Sequence, residues 1–206
     1  MTVISVFGDS NTYGAWDTEH QGWVNRLRRH LDKSHDLIYN LGISGETSTD
    51  VLKRFDVECR ATRREAVQYK EPFIIMIAIG GNDSYLINGR PKVPVARFRS
   101  NIIALIKKAK GHASKIFLLE LTPVDESKTD PIPWNKSISY RNDRIAEYNS
   151  ALRDACKKEK AYLIKNNLAR LRYRDLLEDG VHLNSKGHKT VSDAVRAALI
   201  KEGVVS

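Results

Sequence analysis

A continuous apolar run at residues 73–79 (Phe-Ile-Ile-Met-Ile-Ala-Ile) constrains the fold of this chain more than any other segment. Pro72 precedes the run and Gly80 follows it. A short run without alternation between polar and apolar residues is typical of a β-strand that is buried on both faces. Such strands occur mainly in parallel sheets, because the connecting helices cover both faces of the sheet. We therefore expect a parallel sheet between two layers of helices.

Short β-rich segments alternate with longer segments of helical periodicity along the rest of the chain. The predicted strands are residues 2–7, 36–41, 73–79, 115–121 and 161–164, and the predicted helices lie at residues 23–31, 51–55, 102–109, 139–158 and 185–201. This alternation favours right-handed crossovers and a three-layer α/β/α sandwich. A chain of 206 residues can bury one large core, so we predict a single domain over residues 1–206. Residues 122–136 form a polar loop with prolines, which we interpret as a wall or lid of a binding site.

The formal net charge of +9 raises the question of an anionic partner. Clustered lysines and arginines bind nucleic acids by neutralising phosphates. Here the basic residues are spread along the chain, often beside apolar residues at helical spacing, as at Arg26, Arg54, Lys107 and Lys157. This pattern is typical of solvated helix faces, so we expect no nucleic-acid partner. An attraction of the positive field for an anionic substrate or a membrane surface stays open.

Cysteine content and hydropathy predict the compartment. Cys59 and Cys156 lie far apart, and no Cys/His ligand spacing surrounds them. We therefore predict neither a disulfide framework nor a zinc site, but two reduced, buried thiols. The first residues lack a basic region followed by an apolar stretch of signal-peptide length, and no segment is long enough to span a membrane. These features predict a cytoplasmic protein without stable membrane insertion, and they leave the oligomeric state undefined.

Four short motifs carry the reactive residue types. They are residues 8–10 (Gly-Asp-Ser), 44–47 (Ser-Gly-Glu-Thr), 80–83 (Gly-Gly-Asn-Asp) and 179–182 (Asp-Gly-Val-His). The first three follow predicted strands, and the carboxyl ends of parallel strands meet at one edge of a sheet. The fourth motif precedes the last predicted helix, and one bend would bring it to the same edge. We expect the four motifs to meet there.

Ser10, His182 and Asp179 are the residue types of a nucleophile, a base and an orienting carboxylate. A serine hydroxyl is a weak nucleophile at neutral pH unless an imidazole accepts its proton. The imidazole in turn needs an anion that fixes its tautomer and stabilises its charged form. Asp179 and His182 are three residues apart, so a local turn can bring the carboxylate and the ring together.

Each motif can also be explained by a structural role without any catalytic function. The Gly-Asp-Ser motif at residues 8–10 is typical of a turn into a helix, with one polar side chain as the N-cap. Gly45 is explained by a positive backbone φ, and Gly80 by a sharp exit from a buried strand. His182 would then be a partly buried histidine with satisfied hydrogen bonds. The joint occurrence of the four motifs in this order favours the functional interpretation.

The four motifs resemble the sequence blocks of the GDSL-type esterases and lipases, the SGNH hydrolase superfamily. The positions that name the superfamily are Ser10, Gly45, Asn82 and His182, and the resemblance covers nearly the whole chain. Asn11 departs from the pattern, because the eponymous leucine of the family would stand there. The resemblance implies a flavodoxin-like fold with a five-stranded parallel sheet.

The resemblance also implies a function: hydrolysis of an ester or thioester without a metal or organic cofactor. Ser10 would attack the acyl carbon, His182 would accept its proton and Asp179 would orient the ring. The backbone amides of Ser10 and Gly45 and the side-chain amide of Asn82 would bind the oxyanion. We expect a small-molecule ester with a short acyl group, because no extended apolar segment indicates an interface for long lipid chains. Carbohydrate deacetylation, lysophospholipid cleavage and thioester hydrolysis stay open.

Proteins of other functional classes use the same kind of sheet. A lipase of the α/β-hydrolase fold would place its serine in a G-x-S-x-G motif, which this chain lacks. A phosphate-binding or flavin-binding module is the alternative from another class, although neither G-x-x-x-x-G-K-[ST] nor G-x-G-x-x-G occurs. A non-catalytic binding protein also stays open. Tyr13, Trp16 and Tyr85 lie near the motifs, either as substrate platforms or as ordinary packing residues.

Overall fold

The computed structural model describes residues 1–31, 36–168 and 171–205 of the chain. The strands are β1 (Val3–Gly8), β2 (Leu37–Gly42), β3 (Phe73–Ala78), β4 (Leu86–Ile87), β5 (Arg90–Pro91), β6 (Lys115–Leu119), β7 (Ile138–Ser139) and β8 (Tyr162–Ile164). The helices are α1 (Ser10–Tyr13), α2 (Gly22–Arg28), α3 (Ser48–Thr62), α4 (Arg64–Tyr69), α5 (Gly81–Ser84), α6 (Val95–Lys110), α7 (Glu126–Thr129), α8 (Asn142–Glu159) and α9 (Ser185–Lys201). A 3₁₀ turn covers Tyr173–Leu176.

Five strands form a parallel sheet in the order β2-β1-β3-β6-β8. All residues of β1 are buried, as are nearly all residues of β3, because helices cover both faces of the sheet. Gly8 at the end of β1 pairs with Gly42 of β2 and with Ala78 of β3, so these three strands end at the same level. The loops that follow them therefore leave the sheet at one edge.

Alternate residues of the buried strands face opposite helix layers. In β3, Ile75 and Ile77 belong to one apolar cluster with residues of α3, α6 and α8. Ile74 and Met76 belong to a second cluster, which includes residues of α2 and α9. This arrangement follows from the period of two along a strand. The expected three-layer α/β/α sandwich with a five-stranded parallel sheet is confirmed.

The structure contains elements that hydrophobic periodicity did not indicate. The strands β5, β4 and β7 form a small antiparallel sheet, and each is only two residues long. Helix α4 follows α3 after a single residue, Arg63. Residues 122–136 are not one continuous loop, because they include α7, which begins after the N-cap Asp125. Strands and helices this short give no periodic signal.

The described residues include no helix that is long and apolar enough to cross a membrane.

Candidate active site

Ser10 lies at the first position of α1, two residues after the end of β1. Asp9 is the N-cap of this helix, and its Oδ1 accepts a hydrogen bond from the amide of Asn11 at 3.0 Å. Gly8 is required for this tight exit from the strand, because a Cβ at residue 8 would lie 2.0 Å from Oγ1 of Thr12. The sequence thus presents the Ser10 hydroxyl at the carboxyl edge of the sheet.

Asp179 and His182 form a compact turn in front of α9. Oδ1 of Asp179 accepts hydrogen bonds from the amides of Val181 at 2.9 Å and His182 at 2.8 Å. Oδ2 accepts a hydrogen bond from Nδ1 of the His182 ring at 2.6 Å. Burial alone would raise the pKa of Asp179, but these hydrogen bonds to the carboxylate outweigh burial and lower the pKa to about 2. Asp179 is therefore an anion at neutral pH, held against the histidine.

Ser10 and His182 are 172 residues apart in the chain and in hydrogen-bond contact in the fold. Oγ of Ser10 lies 3.0 Å from Nε2 of His182. Because Nδ1 of His182 faces the Asp179 carboxylate, Nδ1 carries the proton in the neutral ring and Nε2 is the acceptor. The Ser10 hydroxyl can then donate its proton to Nε2. The structure thus brings together the three residues that the sequence suggested for proton transfer.

Asn11 connects the two remote motifs. Its side-chain Oδ1 accepts a hydrogen bond from the backbone amide of Leu183 at 3.0 Å. Asn11 follows Ser10, and Leu183 follows His182, so this contact fixes the two segments relative to each other. In the sequence Asn11 stood out only as a departure from the family pattern.

Gly45 lies in the loop after β2 with a φ of +79°, a conformation that favours glycine. A Cβ at residue 45 would meet no atom within 4 Å, so backbone conformation and not space calls for glycine. Within the described residues, the amides of Gly45 and Ser10 donate to no acceptor of the protein. Both amides can therefore donate to a ligand.

Asn82 lies in α5, after the carboxyl end of β3. Its Nδ2 donates a hydrogen bond to the carbonyl of Glu46 at 2.9 Å, and its Oδ1 accepts one from the hydroxyl of Tyr140 at 3.3 Å. These contacts fix which end of the amide is nitrogen. An amide nitrogen carries two hydrogens, and Glu46 is its one acceptor among the described residues. The second hydrogen is available to a ligand.

Two side chains that sequence reasoning missed hold the loops of the site in place. Arg54 of α3 forms an ion pair with Glu46 at 2.7 Å and donates a hydrogen bond to the carbonyl of Leu41 at 2.8 Å, which ties the loop after β2 to the sheet. Tyr140 is partly buried, and its removal from solvent raises the pKa of its hydroxyl, which stays protonated and donates to Asn82. Neither residue lies in a motif, and the expectation that Arg54 belongs to a solvated helix face is wrong, because its side chain is only 15% exposed. No sequence signal indicated Tyr140.

Asp9 and Asp83 are buried carboxyl groups near the proposed nucleophile. Burial raises the pKa of Asp9 to about 6, although the Asn11 amide and the nearby His182 oppose the shift. Burial likewise raises the pKa of Asp83 to about 6, against hydrogen bonds from the amide and hydroxyl of Ser48. Asp83 thus links the end of the loop after β2 to the loop after β3.

Residues 122–136, interpreted above as a wall or lid, pack against the segment that carries Asp179. The amide of Asp125 donates a hydrogen bond to the carbonyl of Gly180 at 2.8 Å, and Nζ of Lys128 donates to the carbonyl of Glu178 at 3.2 Å. A Cβ at Gly180 would lie 2.9 Å from the side chain of Lys128. This part of the loop therefore supports the turn of Asp179 and His182.

The aromatic residues near the motifs differ in their surroundings. Tyr85 packs against Tyr140 with ring centroids 5.0 Å apart. Trp16 and Tyr13 are exposed, and the Trp16 ring centroid lies 6.3 Å from that of His182. Tyr85 is thus a packing residue, whereas Trp16 and Tyr13 face solvent beside the site. Within the described part of the chain, no group of histidine, cysteine and acidic residues is arranged to hold a metal ion.

Comparison with known proteins identifies the family. The sequence model of the GDSL-like Lipase/Acylhydrolase family matches residues 6–190. This chain belongs to that family. Membership supports ester hydrolysis as its general function and confirms the resemblance that the four motifs indicated.

Relatives and solved structures agree with the family. The uncharacterized lipoprotein YqeF of Bacillus subtilis is 33% identical over 129 residues, which are 60% of this chain and 49% of YqeF, so the match spans about half of that protein. The isoamyl acetate-hydrolyzing esterase of Saccharomyces cerevisiae is 25% identical over 213 residues, 91% of this chain and 82% of the esterase. The crystal structure of the lipase/acylhydrolase from Enterococcus faecalis superposes with a TM-score of 0.74 at 22% identity, and covers 98% of this chain and 97% of that one. The structural likeness shows a common fold.

Proposed function

We propose that this protein hydrolyses carboxylic esters with short acyl groups through a Ser-His-Asp triad. Ser10 is the nucleophile and His182 is the general base. Asp179 orients the His182 ring and stabilises its charged form. The observation that carries the proposal is the continuous hydrogen-bonded series from Ser10 Oγ to His182 Nε2 at 3.0 Å and from His182 Nδ1 to Asp179 Oδ2 at 2.6 Å.

The first half of the reaction forms an acyl-enzyme. Ser10 Oγ attacks the acyl carbon and His182 Nε2 takes the hydroxyl proton, so that a C–O bond forms and the carbonyl oxygen becomes an oxyanion. The oxyanion collapses, the bond to the alcohol breaks, and His182 returns its proton to the departing alkoxide. Asp179 stays ionised throughout and stabilises the imidazolium, as its lowered pKa requires.

The second half releases the acid. A water molecule gives its proton to His182 and attacks the acyl carbon, and a second oxyanion forms. When it collapses, Ser10 leaves with the proton from His182. The free enzyme is restored, and the sum of the steps is ester plus water giving acid plus alcohol.

The oxyanion is bound in this proposal by the amides of Ser10 and Gly45 and by Nδ2 of Asn82. Each of these groups has a hydrogen that no described residue of the protein accepts. The residues that supply these donors lie on the segments that follow β1, β2 and β3, and these three strands end at one level of the sheet. Donors that are already in place stabilise developing charge without reorganisation at the moment of reaction.

A short acyl ester is the proposed substrate class. One relative is named for hydrolysis of isoamyl acetate, an ester of a short acid, and this supports the choice. A rate series on p-nitrophenyl esters from acetate to octanoate tests acyl length, and acetyl-coenzyme A and a lysophospholipid in parallel test the thioesterase and lysophospholipase alternatives. The highest kcat/KM on acetate or butyrate is expected.

Covalent labelling tests the nucleophile directly. Diethyl p-nitrophenyl phosphate should add one diethyl phosphoryl group to the protein, and peptide mass spectrometry should find the group on Ser10. Ser10→Ala should abolish both labelling and ester hydrolysis while the circular dichroism spectrum stays that of the wild type. The matched control is Ser100→Ala, which removes an exposed hydroxyl on α6. A Ser10→Ala protein that still takes the label or hydrolyses esters would rule out the proposed nucleophile.

We also propose one domain over residues 1–206 and a cytoplasmic location. The two apolar clusters share the strands of one sheet, which supports a single folding unit. Cys59 and Cys156 are free and buried, and burial raises the pKa of their thiols to about 11 and about 12, which suits a reducing compartment. A single cooperative transition on urea unfolding and recovery in the cytosolic fraction are the expected results.

A further inference from the structure

A groove beside the proposed triad is lined by aromatic and amide side chains. Residues 13–18 line it together with Gln21, Asn25 and Asn40, and its volume is about 470 Å³. We call this surface the Trp16 groove. Its volume falls within the range of small-molecule sites, roughly 300–1,000 Å³. The groove adjoins the site because Trp16 lies next to His182.

Trp16 is in a position that stability does not explain. Its side chain is 57% exposed, so it contributes little to the core. Its φ of +66° places a bulky residue in the left-handed region, a backbone conformation that residues with large side chains rarely adopt. Tyr13, at 63% exposure, adds a second aromatic ring to the same groove. Two exposed rings in one groove, of which the Trp16 ring lies next to His182, suit a ligand that packs on flat apolar faces.

The polar side chains of the Trp16 groove are uncharged or neutralised. Nδ2 of Asn25 donates hydrogen bonds to the carbonyl of Gln21 at 3.2 Å and to its Oε1 at 3.4 Å, so the two amides form a pair. This pairing leaves Nε2 of Gln21 as a donor and Oδ1 of Asn25 as an acceptor, since no other described residue bonds to them. Asp17 is buried in an ion pair with Arg26 at 2.9 Å. The groove is therefore neutral in a protein of net charge +9.

Aromatic faces combined with neutral amides match a neutral ligand rich in hydroxyl groups. Amides donate to and accept from hydroxyls, and an aromatic face packs against the C–H face of a sugar ring. A long acyl chain would need a continuous apolar wall, and a phosphate would need cations, and the groove offers neither. We propose that the Trp16 groove binds the sugar portion of an acylated carbohydrate while its acyl carbon lies at Ser10. This inference rests on the proposed hydrolase function and narrows its substrate class.

A pair of esters that share the acid but differ in the alcohol tests the groove. We would measure kcat/KM for 6-O-acetylcellobiose and for ethyl acetate by pH-stat titration of the released acetic acid. The wild type should prefer the sugar ester. Trp16→Ala should reduce the ratio of the two kcat/KM values by about tenfold through loss of the ring contact, and Trp16→Tyr, which keeps an aromatic face, should restore most of the ratio. Tyr69→Ala, which removes a ring of 58% exposure on α4, is the matched control and should leave both constants unchanged.

A wild type without preference for the sugar ester, or an unchanged ratio in Trp16→Ala, would overturn the inference. Inactivity on both esters would refute the proposed function and not the groove. In that case the binding of cellotriose to Ser10→Ala is measured by calorimetric titration. Binding that is about tenfold weaker in the double variant Ser10→Ala/Trp16→Ala supports the groove. An absence of binding to Ser10→Ala refutes it.

Discussion

Replacing Asp9 with asparagine should make the protein more stable at neutral pH and change its stability little in acid. Asp9 is only 7% exposed, and burial raises its pKa to about 6. At pH 7 the carboxyl group is therefore ionised in a place that disfavours its charge. Asparagine has nearly the same shape and can still accept the hydrogen bond from the amide of Asn11 at the start of α1.

The size of the effect follows from the shift of the pKa from 3.8 to about 6. At about 1.4 kcal/mol per tenfold change in proton affinity, this rise in the pKa corresponds to roughly 3 kcal/mol. Because the folded state holds the proton more tightly than the unfolded state, the stabilisation from protonated Asp9 is complete below pH 3.8 and is lost as the pH rises through about 6. The free energy of unfolding of Asp9→Asn minus that of the wild type should thus rise from near zero at pH 4 to roughly 3 kcal/mol at pH 7 and above.

Urea unfolding of both proteins at half-unit steps from pH 4 to pH 8 gives this difference curve. Groups that do not interact with Asp9 occur in both proteins and cancel in the difference, whereas the charges of Asp83 and His182 act on Asp9 and belong to the measured effect. Asp154→Asn, a substitution at an exposed position of α8, supplies the reference for an amide in place of a surface carboxylate. A difference that does not change with pH, or a variant less stable than the wild type at pH 7, would refute the argument from burial.

Two further predictions follow from the geometry of the site. Asn82→Ala should lower kcat on a p-nitrophenyl ester by about 10²–10³-fold with little change in KM, because one oxyanion donor is removed; a loss below threefold would exclude that role. Asn11→Leu, which introduces the leucine of the family pattern, should lower the free energy of unfolding by about 1–3 kcal/mol, because the amide of buried Leu183 loses its acceptor. Asn11→Asp keeps an acceptor oxygen there, and an equal loss in both variants would argue against the hydrogen bond.

The sheet was predictable because a strand that is buried on both faces has a continuous run of apolar residues. The apolar run at residues 73–79 became β3, and the predicted strands at residues 2–7 and 161–164 lie within two residues of β1 and β8. Predicted ends were less accurate: β6 stops at Leu119, two residues before the end of the strand predicted at residues 115–121. Strand ends depend on where the partner strand ends, which is a property of the pairing and not of the run itself.

The small antiparallel sheet shows where sequence patterns stop being informative. Strands β4, β5 and β7 contain two residues each, and β7 comes from a segment about fifty residues after β4. Two residues define no period, and a contact between distant segments depends on how the intervening helices pack. Tyr140 follows β7 directly, so its place beside Asn82 depends on this same pairing. A residue positioned in this way could not be assigned to the site from the sequence.

Asn11 illustrates the difference between a residue type and a contact. The pattern of the family describes residue 11 as a mismatch, whereas in the fold its side-chain oxygen binds the amide of Leu183 at 3.0 Å. A leucine side chain has no acceptor and could not make this bond. The segment that presents Ser10 is thus tied to the segment that presents His182 by the residue that follows the first motif and departs from the family pattern. Motifs identify the groups that can react, and hydrogen bonds between remote segments such as this one determine whether those groups meet.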